Sequence, residues 1–418
     1  MERLLKGLAL SAVASSIVMA GGYKIPEQSL NSMALGAAYV AHTMGADTSY
    51  YNPANMAFMA DKQYIEGGIT LAVLPKNTYT LVAPFSGESE EENLVIPNFH
   101  YVSNAMGDFR WGVSLVAPGG LTKRWNTPVQ KASAEEFTLK IIELNPTISY
   151  KVNDNFSIGG GIRIIYSEGV VKSDSTDAFN AGVPGVTAPV SRDMTGDTVE
   201  FGYNLAVAYK PTKDINMAVT YRSKIDLNEE GNALLTLNGA TVYDGKASVS
   251  VPLPAALNIA ISKTWENTFT LEFNYERTFW SAYKELDFEY GGANIFPLTT
   301  TFDDPIARDW KDTNTFRLGA TIQMNNKFTV MMGFAIDETP VPTKTIGFEL
   351  PDSDAKIFSM GFRYQQTENL SWGVAFLYDS KDPIALTAGQ QDNAVLNNGG
   401  SFGGGGAYLT TIGMAYEF

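Results

Sequence analysis

The sequence predicts an all-β fold: a fourteen-stranded antiparallel transmembrane β-barrel with an N-terminal hatch, or plug, of short helices and loops. Three observations predict it. From about residue 62 onward, segment after segment alternates apolar and polar residues, a period that sends alternate side chains to opposite faces. The connections between segments alternate between tight turns and long loops, as they do at the two rims of an outer-membrane barrel. Hydrophobic residues make up 44% of the chain and charged residues only 18%, yet no run after residue 20 is long enough for a membrane helix.

Residues 1–20 read as a signal peptide. Arg3 and Lys6 form a charged start, residues 8–18 are apolar but too short to span a bilayer, and Val18 and Ala20 offer small residues for cleavage. The mature chain is expected to start at Gly21. Residues 21–60 do not alternate and are rich in small residues such as Ala34, Gly36, Ala37 and Ala38. A barrel of this size has a lumen wide enough to hold them, so they are expected to form the plug; a periplasmic extension is the alternative.

Residues 61–418 are assigned to the barrel. The strands are expected near residues 62–74, 94–105, 109–118, 137–153, 155–172, 197–211, 214–229, 246–265, 268–290, 312–325, 327–338, 353–367, 369–386 and 406–418. Between Phe201 and Tyr209 one face is greasy (Phe201, Tyr203, Leu205, Val207, Tyr209) and the other small or polar (Gly202, Asn204, Ala206, Ala208). Phe269, Leu271, Phe273 and Tyr275 alternate with Thr270, Glu272, Asn274 and Glu276, and Phe316, Leu318 and Ile322 alternate with Arg317, Gly319 and Gln323. A soluble sandwich would bury the greasy face instead, but the segments are long enough for tilted membrane strands of about 9–11 residues. Trp111, Tyr150, Tyr209, Tyr221, Trp265, Trp280 and Trp372 are the candidates for two interfacial aromatic girdles. The last strand ends on Phe418, as do barrels recognised for outer-membrane assembly.

Composition also excludes functions. A net charge of −15 argues against nucleic acid. The chain has no cysteine and two histidines, His42 and His100, without useful partner spacing, so no catalytic residues, metal or cofactor are expected. The cluster Glu88, Glu90, Glu91 and Glu92 reads as a solvated loop, and Gly159, Gly160 and Gly161 lie within a strand rather than in a phosphate-binding turn.

The stretch Tyr51, Asn52, Pro53, Ala54, Asn55, Met56, following Asp47, Thr48 and Ser49, resembles the Asn-Pro-Ala-x-Met hatch signature of the FadL family of outer-membrane long-chain fatty acid and hydrocarbon transporters. Leu144-Asn145-Pro146, Trp280-Ser281, residues 310–313 and residues 337–342 resemble further family segments in the same order. The resemblance implies that Asn52, Pro53, Ala54 and Met56 belong to a hatch, and that Pro118, Gly119 and Gly120 form a kink in the third strand opening a lateral exit. Proline removes a ladder donor and glycine tolerates bent backbone, which suits an interrupted strand; an ordinary strand end is the alternative. Where fatty acid transporters of the family carry a basic residue on the fifth strand, this chain places Glu168. Arg163, Arg222, Arg317 and Arg363 fall on the inward phase and are candidate ligand contacts, each of which could instead pair with an inward acid such as Glu272 or Glu276.

The expected function is passive uptake of a hydrophobic small molecule by a monomer in the bacterial outer membrane, both termini periplasmic, with residues 179–190 and 295–302 as candidate capture loops. Its other partners would be outer-membrane lipid, lipopolysaccharide and, during biogenesis, the barrel assembly machinery. A general porin for hydrophilic solutes and an outer-membrane enzyme or adhesin are the rival readings.

Overall fold

A computed structural model describes residues 21–293 and 295–418; the expected signal peptide, residues 1–20, lies outside the described residues. Among the described residues fourteen long strands form one closed antiparallel sheet. They are β1 (Tyr64–Leu74), β2 (Glu92–Val102), β3 (Phe109–Arg124), β4 (Glu136–Lys151), β5 (Phe156–Asp174), β6 (Val190–Tyr209), β7 (Ile215–Arg222 and Ile225–Leu237), β8 (Ala240–Leu253 and Ala256–Trp265), β9 (Phe269–Thr278), β10 (Thr313–Asn325), β11 (Phe328–Asp337), β12 (Ala355–Gln365), β13 (Leu370–Lys381) and β14 (Ala407–Glu417). Closure comes from β1, which pairs with β2 on one edge and with β14 on the other, Tyr64 opposite Glu417 and Val73 opposite Tyr408. Every strand thus has a neighbour on each side.

The barrel is greasy outside. Phe201, Tyr203, Leu205, Phe273, Phe316 and Leu318 are exposed, whereas their strand neighbours Asn204, Glu272, Asn274, Glu276 and Arg317 are buried. This settles the alternation in favour of a membrane wall. Trp111, Tyr150, Tyr209, Trp265 and Trp372 are exposed at the short-turn end of their strands and make one girdle there; Tyr221 is half-buried in mid-strand. Trp280 is a correction: only 1% exposed, it sits in a 3-10 turn after β9 and packs edge-on against Tyr23 and Trp310.

Several strand boundaries differ from expectation: β6 starts at Val190 rather than near 197, β13 ends at Lys381 rather than near 386, and three further differences bear on the site. β3 runs on through Pro118, Gly119 and Gly120 to Arg124. β9 stops at Thr278, and the chain beyond it joins the loops. Between β7 and β8 there is no long loop, because both strands extend and meet at the tight turn Asn238-Gly239, where both residues have positive φ, 51° and 76°, as a type I′ hairpin turn requires.

That extension follows from a phase change. In the first part of β7 the inward residues are Ala218 and Thr220; past Ser223 and Lys224 they become Ile225, Leu227, Glu229, Ala233 and Leu235. β8 makes the same shift opposite, at Pro254 and Ala255. The polar residues Asp226, Asn228 and Glu230 now face out and the apolar ones in, which is the pattern of strands that have left the membrane. β4 shows the same division in its lumenal face: Phe137, Leu139 and Ile141 at the loop end, Glu143, Asn145, Thr147 and Ser149 at the turn end. The lumen is therefore greasy beneath the loops and polar below.

Candidate functional site

Residues 21–60 lie against the inward faces of the strands. Helix α1 (Leu30–Ala34) is capped by Ser29, whose side chain accepts from Ser32 N, and rests where β11, β12 and β13 carry glycine. A Cβ on Gly361 would stand 2.7 Å from that of Ala34, and one on Gly333 would overlap the backbone of Leu35. Glycine is needed there because the two backbones touch. From β9, the Glu272 carboxylate accepts three successive backbone N–H groups, from Val40 at 2.6 Å, Ala41 at 2.9 Å and His42 at 2.7 Å.

The signature residues fix the end of this segment. Asn52 caps a 3-10 turn (Pro53–Phe58), accepting from Ala54 N at 3.2 Å, while its Nδ2 donates to Val40 O at 2.8 Å. Pro53 takes the first turn position, where no N–H is missed. Ala54 is fully buried over Gly159, where a Cβ would stand 2.6 Å from Ala54 N, and its carbonyl accepts from Ser157 Oγ at 2.8 Å. Met56 packs with Ala46, Tyr64 and Val102, and its carbonyl is one of four from residues 56–62 that receive the Arg110 guanidinium.

At Pro118, where the resemblance implies a kink, the β3 ladder is irregular. Its register against β4 shifts between Val116 and Gly119. On the other side, β3 pairs with β2 only from Leu115 opposite Phe99 to Gly112 opposite Val102, although β2 itself continues to Glu92 and stays paired with β1 throughout. The ladder resumes as the Ser89–Trp125 bridge and the bond from Glu90 N to Arg124 O. Between these points residues 93–98 of β2 and 116–123 of β3 share no ladder.

The N-terminal segment takes the vacated edge of β3. Ile25 N donates to Pro118 O at 2.9 Å and Gly120 N donates to Tyr23 O at 2.8 Å. The Gln28 side chain completes the edge: Nε2 donates to Ala117 O at 2.8 Å and Oε1 accepts from Ala117 N at 2.9 Å.

Two cavities adjoin this strap. The one nearer the loops is lined mainly by apolar groups, among them Tyr23, Leu121, Phe137, Val249, Phe288 and Trp310, with Glu229, Arg308 and Glu349 as its charged members. The one nearer the turns is lined by Lys24, Arg163, Arg222, Glu276 and Arg317 among others. Tyr23 borders the first and Lys24 the second, so alternation along the strap puts it between them.

The predicted ligand contacts divide. Arg163 donates to Glu143, Nη2 to Oε2 at 3.0 Å, and Arg222 pairs with the same carboxylate. Arg317 and Lys24 share Glu276, at 3.3 and 2.6 Å. Both groups border the lower cavity, where four cations meet two carboxylates. Arg363 does not border either cavity: it binds Glu66 Oε1 at 2.5 Å and Asn31 Oδ1 at 2.9 Å, holding α1. Glu168 is a correction, since it faces away from the lumen and pairs with Lys140 at 3.1 Å. The inward residue there is Ser167, which donates to Glu229 at 2.6 Å. Of the capture loops, Ile295, Leu298 and Phe302 are buried in the cluster over the apolar cavity, while Phe296 is 76% exposed and Phe179 40%.

Sequence reading missed Gln28, Glu143 and Glu229 as site residues. The signal for Glu229 was present, a lone acid on the apolar phase Ile225, Leu227, Ala233, Leu235; Gln28 carried none, because its partner is set by the bend in β3.

A closed barrel greasy outside, its lumen occupied by its own N-terminal segment, defines a plugged barrel of the outer-membrane type. Residues 11–418 match the family described as "Outer membrane protein transport protein (OMPP1/FadL/TodX)". The chain belongs to that family. It is 24% identical over 417 residues to a long-chain fatty acid transport protein of Salmonella typhi, covering 90% of this chain and 92% of that one. Among solved structures it is similar in fold to a Pseudomonas aeruginosa FadL homologue (TM-score 0.79, 19% identity, 95% of this chain and 99% of that one). The Ralstonia pickettii toluene transporter TbuX is similar too (TM-score 0.70, 17% identity, 93% and 98%).

Proposed function

We propose that the protein carries hydrophobic small molecules, fatty acids or hydrocarbons such as aromatics, passively through the outer membrane. The long loops face outward and the turns and both termini face the periplasm. A molecule partitions from the loops into the apolar cavity, driven by roughly 25 cal/mol per Å² of apolar surface removed from water. The strap at residues 23–28 then shifts, joining the two cavities, and the molecule leaves sideways between β2 and β3. The observation that carries this reading is the interrupted β2–β3 ladder, whose free edge is held by the same strap that divides the cavities.

Residues 30–60 would remain as the hatch, anchored by Asn52, Pro53, Ala54, Met56 and Glu272, and keep hydrophilic solutes out. A lumen filled in this way is poorly suited to a general porin. The family and its named relatives support transport rather than catalysis. A closed barrel needs no second copy, so the working unit would be a monomer among outer-membrane lipid and lipopolysaccharide, inserted by the barrel assembly machinery.

The test is uptake of radiolabelled oleate and of toluene by cells with this protein as their only such transporter, alongside entry of a small sugar. Uptake of either hydrophobic compound without sugar entry is expected. Sugar entry without uptake of either would replace this reading with the porin.

A further inference from the structure

The apolar cavity has one carboxylate without a counter-ion among the described residues that line it. Arg308 and Glu349, the other two charged residues at its wall, pair with each other. Glu229 is 3% exposed and its Oε1 accepts from Ser167. Its Oε2 lies over Gly169, where any Cβ would collide with it, so glycine at 169 leaves that oxygen its place beside the cavity. Burial, helped by the carboxylates of Glu168 and Asp197, raises the Glu229 carboxyl to about 7, so that it is mainly an anion at pH 8. Arg192 lies over the ring of Phe288, 4.2 Å from its centroid, and is not part of the cavity wall.

A second anion beside Glu229 would be desolvated and repelled at once, in a medium that screens poorly. A neutral molecule meets no such cost. A carboxylate can accept about four hydrogen bonds, and Glu229 has one from Ser167, so a ligand hydroxyl would find an acceptor there. We infer that the apolar cavity takes uncharged hydrophobic molecules, with a preference for those bearing a hydroxyl such as alkanols and phenols, and rejects carboxylates, Glu229 setting the choice. This rests on the transport reading above and narrows its substrate class.

The experiment measures binding of radiolabelled dodecane, dodecanol and dodecanoate at pH 8 to the purified protein in lipid nanodiscs, for wild type, Glu229→Gln and Glu229→Asp. Wild type is expected to bind dodecanol more tightly than dodecanoate. Glu229→Gln should shift the dodecanol-to-dodecanoate affinity ratio toward the acid by at least about tenfold, and Glu229→Asp, which keeps the charge, should shift it far less. A ratio unchanged by Glu229→Gln, or shifted equally by both variants, overturns the inference while leaving transport standing. Equal affinity for dodecane and dodecanol removes the hydroxyl preference. Binding of none of the three removes the cavity as a ligand site, and the proposed transport path with it.

Discussion

The side-chain amide of Gln28 makes both backbone hydrogen bonds of Ala117, 2.8 Å to its carbonyl and 2.9 Å from its N–H. One side chain thus stands in for the strand that β3 lacks at its bend. Replacing Gln28 by leucine leaves both groups of Ala117 buried and unpaired, a loss of about 1–3 kcal/mol for each. The expected outcome is faster amide exchange at residues 116–121 and unchanged exchange in β10 to β13. Equal protection in the two proteins would show that the strap does not hold the bend.

Gly333 tests the hatch. A valine there would overlap the backbone of Leu35 and Gly36, which cannot yield unless α1 lifts from the wall. In liposomes, Gly333→Val is expected to admit a small sugar that the wild type excludes. If the variant stays tight, residues 30–36 are not what blocks the lumen.

Glu27 makes the strap sensitive to pH. It is 3% exposed, and burial pushes its carboxyl from the ordinary 4.5 up to about 7. In the released strap the group titrates near its ordinary value, so between pH 4.5 and 7 the seated form holds the extra proton. The seated strap is then favoured most below pH 4.5 and loses that advantage as pH rises through 7, by roughly 3 kcal/mol in all. Protection of the amides at residues 25–29, corrected for intrinsic exchange, should fall between pH 5 and 8 in the wild type and hold level in Glu27→Gln. The same slope in both would assign it to another group.

Most of the wall was legible in the sequence because membrane strands must alternate, and residues such as Phe201 to Tyr209 alternate without a break. The extended β7–β8 hairpin was not, since matched breaks at Ser223-Lys224 and Pro254-Ala255, across which the two strands keep their register, reverse the phase on which the reading depended. Glu168 was assigned to the lumen for a related reason: a slip of one residue turns a side chain to the other face, and the inward position belongs to Ser167. Arg163 and Arg317 were placed inward by phase alone; Glu276, the partner of Arg317, was among the acids the sequence offered, but Glu143, 20 residues from Arg163 in the chain, was not. Trp280 reads as a girdle residue of an expected strand over residues 268–290, and only the packing of Tyr23 and Trp310 around it reveals its burial.

Substrate is proposed to leave between β2 and β3, where β3 slips by one residue against β4 between Val116 and Gly119. Deleting Pro118 removes that residue and lets β3 run straight beside β2. The measurement is uptake by the deletion variant of whichever of toluene and oleate the wild type carries, with folded barrel confirmed in the outer membrane at wild-type level. Uptake reduced to background is the expected result. Uptake at the wild-type rate, with the barrel intact, would contradict lateral exit and return the path to the barrel axis.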